Sequence, residues 1–193
     1  MATWSKASLT GAAVFLLSLS AASVAHGRRS YGEPCKKMKL YFHDIIYDYS
    51  NSTSNSTSAA VTKPTALSTT VSKSGYFFGR VVVFNDPMTE GKALPPELEE
   101  TAVRAQGLYF LDRKDDFGAW MAFSIVFNST AQQGTLSLMG ADPNVETKDI
   151  SVVGGTGDFF MARGVATLRG DAVEGLKYFR LQMDISLYEC YDA

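Results

Sequence analysis

The feature that most constrains this chain is a succession of short apolar segments with a period of two, separated by turn residues. In the last segment Phe179, Leu181, Met183, Ile185 and Leu187 alternate with polar or charged side chains. Such alternation is typical of a strand with one buried face. The segments of this kind are 39–48, 77–84, 103–112, 119–128, 133–140, 149–153, 158–168 and 176–189. They predict an all-β protein.

About eight strands with turn signals between them favour a meander that closes into a barrel or folds as a sandwich. We expect an eight-stranded antiparallel barrel, because its interior is filled or holds one small ligand and its closure removes exposed edges. Gly154, Gly155 and Gly157 predict a tight hairpin turn. A phosphate loop is the weaker interpretation, because no Lys-Ser/Thr pair follows these glycines. A short helical turn is expected at 97–101, and the Ser/Thr-rich residues 49–75 are expected to form a loop or a weak-strand region.

The first 25 residues predict a signal peptide, followed by a single domain at 26–193. Lys6 precedes an apolar stretch at 9–19, and Ser23 and Ala25 supply small residues for cleavage. The alternative is an uncleaved membrane anchor. It is the weaker interpretation, because a spanning helix needs roughly 20 strongly apolar residues.

Two further features are typical of secreted chains. Asn51, Asn55 and Asn128 each begin an N-glycosylation acceptor triplet. Cys35 and Cys190 are the only cysteines and lie near opposite ends of the predicted domain. In an oxidising compartment they are expected to form one disulfide, with a pair of buried free thiols as the alternative.

Charge and composition narrow the partners and the chemistry. A net charge of −2 gives no electrostatic reason to expect a nucleic-acid partner or an anionic membrane. With two histidines and two distant cysteines, a zinc site of the usual spacing is excluded and a histidine-based hydrolytic triad is disfavoured. The sequence predicts no metal and no cofactor.

Two charged residues occupy places where a strand should be apolar. Leu40, Phe42, Asp44 and Ile46 share one strand face and His43 lies on the other, so one face buries a carboxylate or the other an imidazole. A buried carboxylate is costly unless it is partnered, so Asp44 is either structurally paired or has a raised pKa. Arg163, between Met161 and Val165, is the second such charge.

Eight motifs resemble those of the plant dirigent proteins, in the same order and across the whole domain. They are YFHDIIYD at 41–48, FNDPMT at 84–89, RAQGLYF at 104–110, VFNST at 126–130, GTL at 134–136, MGADP at 139–143, SVVGGTGDFFMARG at 151–164 and LYECY at 187–191. The GADP and DFFMARG segments resemble the lignan-forming subgroup.

The resemblance implies an allene-oxide-cyclase-like barrel with a central cavity, a terminal disulfide, a homo-oligomer (a dimer or trimer) and secretion to the apoplast. It also implies that a separate laccase or peroxidase makes phenoxy radicals from a phenol such as coniferyl alcohol. The barrel then binds these small phenolic ligands and controls the regiochemistry and stereochemistry of their coupling to optically active lignans or related dimers.

The same resemblance suggests site residues. Asp44 and Asp142 match acidic pocket residues, and Tyr109 matches a pocket tyrosine. Leu111 stands where lignan-forming members often have a second tyrosine, and Lys148 where they often have arginine. The expected catalytic residues are therefore Asp44 and Asp142, and the expected substrate contacts are Phe42, Tyr109, Leu111, Lys148 and Arg163.

Two other functions are compatible with this barrel. One is a cyclase or dehydratase that acts on a phenolic quinone-methide precursor with an Asp44 or Asp142 general acid. The other is a secreted, lectin-like binding module. Control of radical coupling depends on a one-electron oxidant, and this dependence separates it from both of these other functions.

Overall fold

The described part of the chain is built almost entirely of β-strands. It comprises residues 32–47, 55–72, 77–98, 101–175 and 177–191 of a computed structural model. The predicted signal peptide at 1–25 lies outside it, as does Asn51. The strands in this part are β1 (Lys36–Tyr47), β2 (Ser58–Ala60), β3 (Val81–Thr89), β4 (Val103–Leu111), β5 (Ala119–Asn128), β6 (Gln133–Asp142), β7 (Thr147–Gly157), β8 (Arg163–Glu174) and β9 (Tyr178–Glu189).

The strands close into a barrel, as predicted. From β3 to β9 each strand pairs antiparallel with the next, and β9 pairs antiparallel with β1 from Lys36↔Leu187 to Ile45↔Tyr178. The expected count of eight strands is wrong for the described residues, because β2 adds a ninth. β2 pairs parallel with β1 and antiparallel with β3, within the segment 49–75 where the sequence indicates a loop or a weak strand.

The one helix within the described ranges is α1 (Ala66–Val71). Thr65 caps its N-terminus: the Thr65 hydroxyl accepts from the Ser68 amide, and the Ser68 hydroxyl accepts from the Thr65 amide. This reciprocal capping box starts a helix where hydrophobic periodicity is absent. The helical turn predicted at 97–101 is not formed at 97 and 98, which make a bend.

The glycine segment is not the hairpin turn that the sequence predicts. Gly154, Gly155 and Gly157 belong to β7, and β8 begins at Arg163 rather than at residue 158. The turn lies between them, where the Phe160 amide donates to the Gly157 carbonyl oxygen at 2.9 Å. A Cβ on Gly155 would stand 2.2 Å from a backbone oxygen of Phe159, so glycine is required there by close packing within a strand.

One end of the barrel is filled with apolar side chains. Ile125, Leu136 and Leu187 are fully buried there, and the rings of Phe127 and Phe159 lie 4.5 Å apart. At this end Cys35 and Cys190 form a disulfide, with their Cα atoms 6.3 Å apart, which confirms the predicted pairing. We call this region, with its five core residues and its disulfide, the disulfide end.

The described residues include no helix that is long and apolar enough to cross a membrane.

Candidate functional site

The opposite end of the barrel contains a cavity of about 500 Å³. Its wall is formed where β1, β4, β6 and β8 end and where β5, β7 and β9 begin. The lining residues are Phe42, Asp44, Ile46, Tyr109, Phe117, Ala119, Met121, Asp142, Asn144, Val145, Glu146, Lys148, Gly170, Val173, Gly175, Phe179 and Leu181. We call this region the cavity end. Most of its surface is apolar, and a few polar groups converge on it, as in typical small-molecule sites.

Asp44 points into the cavity from β1, as the sequence predicts. Its side chain is buried, and the Ser58 hydroxyl of β2 donates to its Oδ1 atom. Burial raises the pKa of Asp44 to about 6, against the opposing effect of the Ser58 hydrogen bond. A carboxyl group with this pKa can give up and regain a proton in mildly acidic solution.

A second buried carboxyl group, Asp86 on β3, does not line the cavity. β1 and β3 pair directly at Tyr41↔Thr89 and Phe42↔Met88, and the same register continued would bring Asp44 opposite Asp86. At that point the strands separate and the tip of β2 enters between them. Thr57, just before β2, accepts from the Ile45 amide through Oγ1 and from the Asn85 amide through its backbone oxygen. We call this place the β1–β3 fork.

Asp86 was not predicted as a site residue, because Asn-Asp-Pro is a common turn signal. A usable signal was present, since Val82, Phe84, Asp86 and Met88 alternate along one face of β3 and all are buried. Continuing the period of two through the turn signal would have placed Asp86 on the inner face beside Asp44.

Asp142 lies across the cavity at the end of β6. Its Oδ1 atom contacts the Nζ atom of Lys148 from β7, and the Lys148 Nζ atom also lies 3.4 Å from the Pro143 carbonyl oxygen. The two side chains are 20% and 15% exposed, so this ion pair is largely removed from solvent. The predicted residues Asp142 and Lys148 therefore come together, and Lys148 offers the cavity a cation that can hold an anionic oxygen.

Aromatic rings form the apolar floor of the site. Phe42 packs edge-to-face on Phe84 with ring centroids 5.5 Å apart, and Tyr109 lies 6.3 Å from Phe84. Burial raises the pKa of Tyr109, and the nearby Asp44 carboxylate adds to this effect. The Tyr109 phenol therefore stays protonated and is a hydrogen-bond donor to a ligand.

Two predicted contact residues do not line the cavity. Leu111 is buried in the barrel wall next to Ala119, on the same strand face as Tyr109. Arg163 is 59% exposed at the start of β8, where its Nε atom lies 3.8 Å from a Glu189 carboxylate oxygen. Its charge is on the outer surface, because the glycine segment extends β7 and shifts the start of β8. The expectation that Arg163 contacts substrate at the cavity is therefore corrected.

His43 resolves the alternative that the β1 pattern left open, because both faces of β1 bury a polar group. His43 is fully buried on the outer face, where Nδ1 lies 2.9 Å from the Tyr178 hydroxyl and Nε2 lies 2.7 Å from Thr89 Oγ1. Burial lowers the pKa of His43 to about 4, and the Arg180 charge adds to this effect. It is a neutral structural residue outside the cavity.

No group of His, Cys, Asp or Glu within the described ranges is arranged to hold a metal ion. The groups present at the cavity end supply hydrogen-bond donors, one ion pair and a carboxyl acid. This arrangement can bind an aromatic ligand, orient its oxygen atoms and deliver a proton.

Comparisons with known proteins agree with this architecture. A family model described as Dirigent-like protein matches residues 35–188. Dirigent protein 5 of Arabidopsis thaliana is 49% identical over 180 residues, which cover 92% of this chain and 93% of the relative. A dirigent protein of Sinopodophyllum hexandrum is 48% identical over 181 residues, which cover 92% of this chain and 91% of the relative. A solved pterocarpan synthase dirigent protein is similar with a TM-score of 0.65 and 26% identity, over 79% of this chain and 88% of its own.

Proposed function

This chain belongs to the dirigent family, and on that premise we propose that it is a secreted protein that controls the coupling of phenoxy radicals. A separate oxidase, a laccase or a peroxidase, makes the radicals from a phenol such as coniferyl alcohol. The cavity binds them and determines which carbons join and on which face, so that an optically active lignan or a related dimer forms. The protein supplies orientation and proton transfer, not oxidation.

The observation that carries this proposal is the combination of apolar rings and convergent polar groups in one cavity of about 500 Å³. Radical pairing has a low barrier, so holding two rings in one relative orientation is enough to select a product. Phe42, Phe179 and Leu181 offer apolar surface to the rings. Lys148 and the Tyr109 phenol can hydrogen-bond the ligand oxygens.

The acid step follows the coupling. Two coupled radicals give a quinone methide, whose oxygen gains basicity as a side-chain hydroxyl attacks the methide carbon. The Asp44 carboxyl group gives its proton to that oxygen, which becomes a phenol. The attacking hydroxyl loses its proton, which restores the Asp44 acid, so the ring closes without net gain or loss of atoms or electrons. Asp142, on the opposite wall of the cavity, can exchange a proton with a second ligand oxygen in the same way.

A second candidate is a cyclase or dehydratase that takes a closed-shell phenolic precursor and uses the same carboxyl groups. The buried acid Asp44 favours it, because that acid would act on a quinone methide whatever reaction produced it. A similar solved protein is titled a pterocarpan synthase dirigent protein, which names an enzyme on this fold.

One incubation series distinguishes these candidates. Coniferyl alcohol is treated with a one-electron oxidant, with and without the protein, and the products are separated on a chiral column. Enantiomeric enrichment that needs both protein and oxidant supports radical coupling. Racemic products in every mixture contradict it, and conversion of a phenolic quinone-methide precursor without oxidant supports the second candidate. Binding of sugars with neither activity would favour the lectin-like function.

We also propose that the protein acts as a homo-oligomer. A row of apolar side chains crosses the outer face of four neighbouring strands, through the pairs Val83↔Leu108, Leu108↔Ala122 and Ala122↔Met139. Val83, Leu108 and Met139 are 41%, 37% and 42% exposed, which is the kind of patch that a second copy can cover. Light scattering should give the mass of a dimer or trimer, and Leu108→Glu should give a monomer.

A further inference from the structure

The buried carboxyl group that this account leaves without a role is Asp86 at the β1–β3 fork. We propose that Asp86 is a positioning residue for Asp44: it keeps its proton through neutral pH, and so leaves Asp44 as the group of the pair that exchanges a proton with a bound ligand. The transfer of a proton from Asp44 to a ligand rests on the proposed function, but the protonation states of Asp44 and Asp86 are properties of the protein without ligand.

The first argument is the burial of Asp86 without partners. Its side chain is fully buried, and no described residue forms a hydrogen bond with either carboxylate oxygen. An ionised carboxylate in this place would be a buried charge without a hydrogen-bonded partner, which is far more costly to bury than a neutral acid.

The second argument is the unequal surroundings of the two carboxyl groups. Asp44 borders the cavity and accepts from the Ser58 hydroxyl, which stabilises its ionised form. Asp86 has no such donor in hydrogen-bond contact, although the Thr57 hydroxyl is near enough to favour its ionised form. Burial raises the pKa of Asp86 well above its ordinary value, and the Asp44 charge raises it further. The more buried group therefore takes the first proton.

The charged groups on the neighbouring strands do not reverse this order. Arg104 of β4 lowers the pKa of Asp86, but less than burial and Asp44 raise it. The Arg104 guanidinium is already occupied by Asn85 Oδ1 at 2.7 Å and by the backbone oxygens of Asn85 and Leu98. Tyr109 of β4 is neutral, and Lys148 of β7 is paired with Asp142 of β6.

The consequence for Asp44 is that it faces a neutral neighbour. Two ionised carboxylates at this fork would repel each other, and a charged Asp86 would hold the proton on Asp44. With Asp86 neutral, Asp44 can release its proton to a ligand oxygen and regain one in mildly acidic solution. A neutral Asp86 thus leaves the pH at which Asp44 exchanges its proton to be set by burial and by the Ser58 hydrogen bond.

The test is the infrared spectrum and the carboxyl carbon NMR titration of the full-length protein without ligand. We expect a protonated-carboxyl band in the wild type at neutral pH, lost in Asp86→Asn and kept in Asp44→Asn. We also expect an asymmetric response: Asp44→Asn lowers the pH at which Asp86 loses its proton, whereas Asp86→Asn leaves the Asp44 midpoint near 6. The exposed residue Asp149 gives the control, since Asp149→Asn should change neither titration.

Two results would overturn the inference. One is the absence of a protonated-carboxyl band in the wild type at neutral pH, which decides the matter even if a variant fails to fold. The other is a fall of the Asp44 midpoint by about one pH unit or more in Asp86→Asn, as expected when a neighbouring negative charge is removed. Neither result depends on a substrate, so failure here is distinguishable from failure of the proposed function.

Discussion

The two ends of this barrel are built from the same alternating strands but differ in what the inner face carries. At the disulfide end the inner positions are apolar and close-packed, with Phe127 against Phe159. At the cavity end the same strands turn Asp44, Asp142 and Lys148 inward and leave about 500 Å³ unfilled. The difference teaches that one sheet can provide stability at one end and chemistry at the other, because β5, β6 and β9 each contribute residues to both ends.

This division makes the ends separable by mutation. Changes at the disulfide end should reduce the free energy of unfolding and leave product selectivity intact below the melting temperature. Changes at the cavity end should reduce selectivity and leave stability unchanged or higher, since buried polar groups that serve function oppose stability.

The largest expected effect comes from the disulfide. Cys35→Ser or Cys190→Ser should lower the free energy of unfolding by about 2–5 kcal/mol, because the bridge restricts the unfolded chain. Denaturant unfolding measures this change, and the double variant should lose no more than either single one. Loss of selectivity in a variant that is still folded would show that the two ends are not independent.

The next effect has the opposite sign. The folded-state pKa of Asp44 is raised to about 6, so the folded protein binds this proton more tightly than the unfolded chain. Stability from this group is therefore present below pH 4 and is lost as the pH rises through 6. Asp44→Asn should raise the free energy of unfolding above that pH by about 2–3 kcal/mol and by little at low pH. An equal change at every pH would contradict a titrating Asp44.

A smaller stability effect is expected at the ion pair of the cavity end. Lys148→Met should change the free energy of unfolding by about 1 kcal/mol or less, because Asp142 borders the cavity and can be hydrated when its partner is removed. Product enantiomeric excess should nevertheless fall, because the cation that faces the ligand is lost. Lys39→Met removes the partner of an exposed pair with Asp184 and is the control, with selectivity kept. Selectivity retained in Lys148→Met would remove Lys148 from the site.

The smallest effect concerns glycans. Asn128 is exposed at the end of β5 and Asn55 lies in the described segment before β2, so both are expected to be modified together with Asn51. Each Asn→Gln change should lower the mass of the plant-expressed protein by one glycan and alter stability by less than about 0.5 kcal/mol. An unchanged mass at all three sites would argue against passage through the secretory pathway.

Much of the fold was predictable, because alternation and turn residues are local signals. The apolar face of β9 from Phe179 to Leu187 is buried or lines the cavity as expected, and the terminal disulfide forms. The glycine segment, by contrast, led to a wrong prediction of a hairpin turn. Gly155 lies within β7, where glycine is needed because the Phe159 backbone approaches closely, and no sequence pattern shows such a contact.

The residues of the candidate site were predictable where a charged residue interrupts the apolar face of a strand. They were not predictable where their position depends on how strands pair. Asp44 was found because its neighbours Phe42 and Ile46 are apolar. Asp86 was missed because a turn signal overlies its strand, and β2 because three residues are too few to show a period. Arg163 was placed wrongly because the start of β8 depends on the turn before it.

The most direct test of the account is the product of coniferyl alcohol oxidation with Asp44→Asn, measured by chiral chromatography beside thermal unfolding. Asp149→Asn, on the outer face, is the matched control. The account predicts that Asp44→Asn stays folded and loses most of the enantiomeric excess, while the control keeps it. Full enantiomeric excess in a folded Asp44→Asn protein would contradict the assignment of the acid to the cavity end.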